Sequence, residues 1–347
     1  MKQLLSKLES IKAGSNLHEF ILADARDADM AWGITSFGKK RPQHSPDGRD
    51  RYRTKPEFLD EIRSVVDQGI IDIVLASTST MYELAHTEKL FKHAHATPAV
   101  RINDATDIWI MRGSSYSQNP SVCFRSSTIA ESQYGNNTAA KTGEPIVNLG
   151  LYSITFNNNL QADLNSLNAF REFRVEAEIA GFKYFLEVFA PNCSSGLAAQ
   201  DVPFFVNDCI ARTLAGVPEP SRPLFLKIPY FGPRALDELV SYDPSVVVGV
   251  LGGSSGTTHD AFKLIADAQK YGARVALFGR KIKDSEHPLE FIKLLRAIVT
   301  GEISADEAVK QYHATLKTEG VSPKHSLEED LVLTHTELSS GKTDPAR

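Results

Sequence analysis

Residues 221–282 hold three apolar runs, SRPLFLKIP (221–229), VVVGVLGGSSG (246–256) and ARVALFGRKI (273–282), separated by the helical patterns ALDELV and TTHDAFKLIADAQKYG. Strand, helix, strand, helix, strand is the order of a parallel sheet with helical crossovers. The first run carries Lys227 inside an otherwise apolar strand. The other two end in the glycine-rich turns Gly252-Gly253-Ser254-Ser255-Gly256 and Gly279-Arg280-Lys281. Backbone N–H groups at such turns, each ahead of a helix, suit a phosphate.

The same alternation runs through the rest of the chain. HEFILADARDADM (18–30) gives a first strand ending at Asp24, and alternation puts Leu22, Asp24 and Arg26 on one face. Further strands are predicted at 70–77 (IIDIVLAS), 106–113 (TDIWIMRG), 146–156 (IVNLGLYSITF) and 182–192 (FKYFLEVFAPN). Helices fall between them at 56–69, 80–93, from the Asn157–Asn159 cap to Ala180, and at 199–215; three more follow near 288–300, 303–317 and 326–334. An eight-fold βα pattern predicts an α/β protein built as a (β/α)8 TIM barrel, a single domain with extra N- and C-terminal helices. Periodicity alone leaves an open doubly wound sheet as the alternative. The barrel domain is expected over 1–317, with a C-terminal helical extension and tail over 318–347.

Two stretches break the pattern. Residues 114–144, rich in Ser, Asn, Thr and Gly, stand where a barrel has a helix, and predict an irregular excursion or hairpin anchored by Tyr116, Val122, Phe124 and Tyr134. Residues 38–55 carry seven Lys or Arg against two Asp, a solvated surface loop or an anion-gathering lid.

No run approaches the roughly 18 apolar residues of a membrane span, and MKQLLSKLESIKAGS lacks the apolar core of a signal peptide. Three cysteines without paired spacing fit reduced thiols, so a cytoplasmic protein is expected. A net charge of −5 argues against a nucleic-acid partner. His93 and His95 read as the surface of a fraying helix end, not as metal ligands; no metal and no cofactor are expected.

In a barrel the C-terminal ends of all strands share one face, so Asp24, Glu187 and Lys227 are expected to converge there. An amine removed from water favours its neutral form, the nucleophile that attacks a carbonyl carbon. The resulting iminium is an electron sink that lets an adjacent C–C bond break, and Glu187 on the neighbouring strand is the acid–base group this needs. A buried Lys–Glu pair without chemistry is the competing reading. Gly252, Gly253, Ser254, Gly279 and Arg280 form the expected phosphate cradle, with Arg280 as its fixed charge. Asp24 and Arg26 are placed to bind hydroxyls or to carry a second proton.

ADARD, FLEVF, FLKIP, VLGGSSG and ALFGRKI, in that order over about residues 18–315, resemble the class I (Schiff-base) aldolases of the tagatose-bisphosphate and archaeal-type fructose-bisphosphate group. The resemblance implies Lys227 as the Schiff-base lysine, Asp24 and Glu187 as its assistants, and Gly253, Ser254, Gly279 and Arg280 at a phosphate. Tagatose-bisphosphate aldolases carry a further lysine near the end of strand four, where this chain reads GLYSITFNNN, so the substrate does not transfer with the resemblance. The expected function is a metal-independent aldolase acting on a phosphorylated ketose, in a homo-oligomer as is common in the group. The alternatives are an imine-using transferase of the same barrel family and a non-catalytic sugar-phosphate binder.

Overall fold

The computed structural model describes residues 1–16, 18–44, 50–138, 144–253 and 256–339, with backbone alone at 41–44 and 50. Eight parallel strands close into a barrel: β1 (Ile21–Arg26), β2 (Ile73–Ala76), β3 (Thr97–Arg101), β4 (Leu149–Thr155), β5 (Lys183–Phe189), β6 (Leu226–Ile228), β7 (Val248–Leu251) and β8 (Val275–Phe278). Neighbours follow chain order around the ring, and β8 pairs with β1 in the register Ile21↔Val275 to Asp24↔Phe278. The strands are almost wholly buried, as expected of a sheet covered by helices on its outside.

Local signals set the helices that precede or follow these strands. In α2 (Lys55–Gln68) a capping box pairs Thr54 with Glu57, and Gly69 ends the helix at φ +73°. Asn159 caps α3 (Leu160–Ala180), which also stops at a left-handed glycine, Gly181. The remaining long helices are α1 (Lys2–Lys12), α4 (Val202–Ala215), α5 (Pro233–Tyr242), α6 (Thr258–Lys270), α7 (Pro288–Val299) and α8 (Ala305–Thr318). All three cysteines are unpaired. Among the described residues no helix is long and apolar enough to cross a membrane.

The residues group into two compact units. One comprises residue 1, 25–69 and 73–224, and contains β2 to β5. The other comprises 2–24, 70–72 and 225–347, and contains β6 to β8 with most of β1. In the second unit buried Asp72 accepts from Lys7 on α1 (2.6 Å), the Leu22 amide (2.9 Å) and Arg296 on α7 (2.6 Å), joining the ends of three elements.

Several expectations are corrected. The third strand is Thr97–Arg101, not 106–113, where the chain runs through a turn and Trp109 stacks on Tyr116 with ring centroids 4.8 Å apart. Pro98 disguises β3, because a residue without an amide hydrogen argues against a central strand. The helix expected at 80–93 is broken into an α-turn (Thr78–Met81), a π-helix (Tyr82–Thr87) and a 3-10 turn (Leu90–Lys92). The 114–144 excursion pairs Cys123–Phe124 with Asp104–Ala105 and adds a short helix, Ile129–Tyr134. Its anchors are buried Ser121, Ile129 and Gln133; Tyr116, Val122 and Phe124 are exposed. The basic stretch forms a ribbon, Lys39–His44 with Asp50–Tyr52, and 45–49 lie outside the described residues. Its Lys40 pairs with Glu57 (2.6 Å) and its Arg53 with Glu61 (2.7 Å), so part of the formal charge is neutralised by α2. Within the expected C-terminal extension, Thr336–Ser339 is helical and Leu338 is buried; 340–347 lie outside the described residues.

Candidate active site

The first unit brings its polar groups together on β3, β4 and β5. Ser153 and Glu187 are register partners, so their side chains stand side by side on one face. The Ser153 hydroxyl donates to Glu187 Oε2 (2.7 Å). Arg101, at the end of β3, reaches three groups with three nitrogens: Nε to Asp27 (2.6 Å), Nη1 to Ser153 Oγ (2.8 Å) and Nη2 to Glu187 Oε2 (3.2 Å). Burial works against the Arg101 charge, yet the carboxylates of Asp27 and Glu187 hold its pKa above the ordinary guanidinium range. Two donors on one carboxylate oxygen fix the orientation of Glu187.

This cluster continues toward the ends of β3 and β4. The Asn103 side chain brackets Ser153, accepting from its amide (2.6 Å) and donating to its carbonyl (2.8 Å). Asp107 accepts from Ser121 (2.5 Å) and Thr155 (3.0 Å), and burial raises its pKa. Arg101 and Ser153 escaped the sequence reading. Displacing strand three to 106–113 hid Arg101, whereas Ser153 and Thr155, alternate hydroxyls in the buried run LGLYSIT, were a visible signal.

The second unit holds Asp24 and Lys227. Asp24 ends its β8 pairing opposite Phe278 and is fully buried. Lys227 lies mid-strand on β6 and is only 6% exposed. Its register partner on β7 is Gly249, which adds no side chain beside the amine. A Cβ at Gly249 would stand 2.8 Å from Val275 Cβ, so close strand packing requires the glycine. Glu187 belongs to the other unit.

Arg26, in the first unit, has its Nη1 3.0 Å from Glu61 on α2 and its guanidinium over the Phe58 ring.

The glycine-rich turns after β7 and β8 differ in their local geometry. Gly253 has φ +62° with open space where a Cβ would stand, the geometry of an exposed turn. Gly252 has a packing reason instead, since a Cβ would meet the Phe278 ring at 2.2 Å. Ser254 lies outside the described residues. Gly279 precedes the short helix Arg280–Asp284, and burial lowers the pKa of Arg280. Lys281 donates to the Gly256 and Thr257 carbonyls, tying the two turns together. At the start of α6 the amides are already taken by carboxylates of the same unit: Thr258 N–H donates to Asp330 (2.6 Å) and Thr257 N–H to Asp260 (2.8 Å). Asp260 also accepts from Thr334, and these donors hold its pKa down against the opposing effect of burial. Among the described residues no group of three or more His, Cys, Asp or Glu side chains is arranged for a metal ion.

The fold matches that of the Schiff-base-forming, archaeal-type fructose-1,6-bisphosphate aldolases. A crystal structure of an archaeal fructose 1,6-bisphosphate aldolase superposes with a TM-score of 0.58 at 16% identity, over 85% of this chain and 98% of that one. A Schiff-base-forming fructose-1,6-bisphosphate aldolase gives a TM-score of 0.59 at the same identity and coverage. A Corynebacterium glutamicum protein matches with a TM-score of 0.57 at 15% identity, over 87% of this chain and 99% of that one. By sequence, 85 residues are 35% identical to 2-amino-3,7-dideoxy-D-threo-hept-6-ulosonate synthase 1 of Archaeoglobus fulgidus, a match covering 24% of this chain and 32% of that relative. The chain thus matches about a third of the length of that curated relative. No family model matches.

Proposed function

We propose that this chain is a lysine-dependent carbon–carbon lyase, a class I aldolase, which cleaves or forms a phosphorylated ketose through an imine at Lys227. The observation that carries the reading is an amine only 6% exposed on an apolar barrel strand, beside a glycine. A lysine amine is the nucleophile that attacks a ketone carbon to form an imine. A solved archaeal fructose-1,6-bisphosphate aldolase has its catalytic lysine covalently bound to the carbinolamine intermediate of its substrate, and it shares this fold.

The Nζ of Lys227 adds through its lone pair to the ketone carbon, and the carbinolamine loses water to give an iminium. Glu187, aimed by Arg101 and Ser153, takes the proton from the hydroxyl on the far carbon of the scissile bond. The electrons of that bond pass to the iminium, an aldehyde leaves, and an enamine remains. Protonation at carbon and addition of water release the second product and the free amine. Asp24 serves as the second carboxylate, for proton transfer during carbinolamine formation and loss. Gly253, Ser254, Gly279 and Arg280 take the phosphate, and Arg26, whose Nη1 meets Glu61, binds substrate hydroxyls with its remaining donors.

Borohydride added with a panel of ketose phosphates tests the reading: the reduced ligand's mass is expected on the peptide containing Lys227, and Lys227→Met is expected to abolish it. A transferase that uses the same imine with another acceptor is the second reading, favoured by the 85-residue match to a synthase. Product analysis with and without candidate acceptor aldehydes separates the two. The same reading places the enzyme in the cytoplasm as a homo-oligomer, whose mass sedimentation measures.

A further inference from the structure

The first unit holds an open hollow of about 840 Å³ beyond the end of β2. Ligand sites commonly occupy 300–1,000 Å³, so this one has room for a sugar-sized molecule. The hollow near Gly253 and His335, at about 60 Å³, has room only for water.

One wall is the π-helix Tyr82–Thr87, closed by the Glu88 amide donating to the Glu83 carbonyl five residues back (3.0 Å). An α-helix turns about 100° per residue and a π-helix roughly 80°, so Tyr82 and Thr87 stand about 140° apart in the former and roughly 40° apart in the latter. The wider winding thus brings Tyr82, Glu83 and Thr87 onto one side, and all three line the hollow. Such windings are rare and gather at functional sites. Tyr82 is 51% exposed, and its ring stacks on His86 at 5.7 Å. Gly135 makes this placement possible, because a Cβ there would stand 3.0 Å from the Tyr82 ring.

The opposite wall is made of hydroxyls. Ser77 donates to Asp29 (2.6 Å), Thr78 to Ser127 (2.8 Å) and Ser126 to Asp104 (2.8 Å). A hydroxyl that donates inward keeps acceptor lone pairs for a ligand. The charged residues on the lining are Lys55, Glu83 and Glu131, and Lys55 lies 3.6 Å from Glu83, which leaves one negative charge in excess. Acceptors, a surplus carboxylate and an aromatic face repel phosphate and favour a ligand rich in O–H donors with an apolar C–H face.

We propose that this hollow binds an unphosphorylated polyhydroxylated molecule, a neutral sugar or polyol. The proposal is argued from the lining of the hollow alone, and its test reads binding, not turnover.

Met30 lines the hollow and is one of only four methionines, so methyl-labelled methionine provides a local NMR signal, assigned by Met30→Leu. The full chain is titrated with ribose, glucose and xylitol, and with ribose 5-phosphate and glucose 6-phosphate. The Met30 methyl is expected to shift saturably with a neutral probe and at least tenfold more weakly with its phosphate ester. Tyr82→Ala is expected to weaken the neutral probe at least fivefold, with the other methyl signals reporting an intact fold. Glu83→Lys is expected to reverse the preference toward the esters. Lys227→Met is expected to bind the neutral probes as the unmodified chain does, whatever becomes of the imine. No saturable Met30 shift with any neutral probe at millimolar concentration, tighter binding of the esters, or indifference to Tyr82→Ala would overturn the proposal.

Discussion

Arg101 shows how one side chain can organise a cluster. Its three nitrogens reach Asp27, Ser153 and Glu187, a fork that a lysine ammonium at the end of a flexible stem does not reproduce. Arg101→Lys is therefore expected to lose about 3 kcal/mol of stability in urea unfolding, the scale of a broken buried ion pair. Its kcat is expected to fall more than its KM rises, because Glu187 loses its aim. Glu187→Gln is expected to let borohydride trapping persist while slowing turnover by roughly 10²–10⁴-fold, the scale of a positioned acid or base. Arg280→Ala is expected to raise KM for a phosphorylated substrate far more than for its unphosphorylated analogue; equal effects on both would remove Arg280 from the cradle.

At the scale of elements, Asp72 is the junction that joins α1, β1 and α7 in the second unit. Burial opposes its charge, but Arg296 and Lys7 hold its pKa below the ordinary value of 3.8. A depressed carboxylate contributes its stability above the unfolded-state pKa and loses it as pH falls through the folded one. Asp72→Asn is thus expected to cost about 3 kcal/mol at neutral pH, with the gap from the unmodified chain closing below about pH 4. Urea unfolding at stepped pH measures this, and a constant gap down to pH 3 would reject the assignment. Elements were legible in the sequence wherever apolar periodicity agreed with length, as in β4, β5 and α3. β3 was not, because Pro98 breaks the strand signal while Ile108, Trp109 and Ile110 imitate one. The contact of the 330–335 segment with α6 was equally hidden, since its bonds from Thr334 to Asp260 and from Thr258 to Asp330 join residues more than 70 apart in the chain.

For the whole molecule, the order of the strands carried most of the information. Eight βα units announce a closed parallel ring, and Asp24, Glu187 and Lys227 were legible as polar residues inside apolar strand runs, where all three are buried. The partners that orient Glu187 were not, because they come from β3 and β4 through tertiary contacts that no local pattern records. The account rests on Lys227 acting as a covalent nucleophile. Its most direct test is intact-mass and peptide-mass analysis after borohydride reduction in the presence of ketose phosphates. The account predicts one added ligand per chain, on the peptide containing Lys227, and none in Lys227→Met, whose methionine keeps the stem's volume without the amine. Trapping on a different lysine, or turnover that survives Lys227→Met and stops with a chelator, would contradict it.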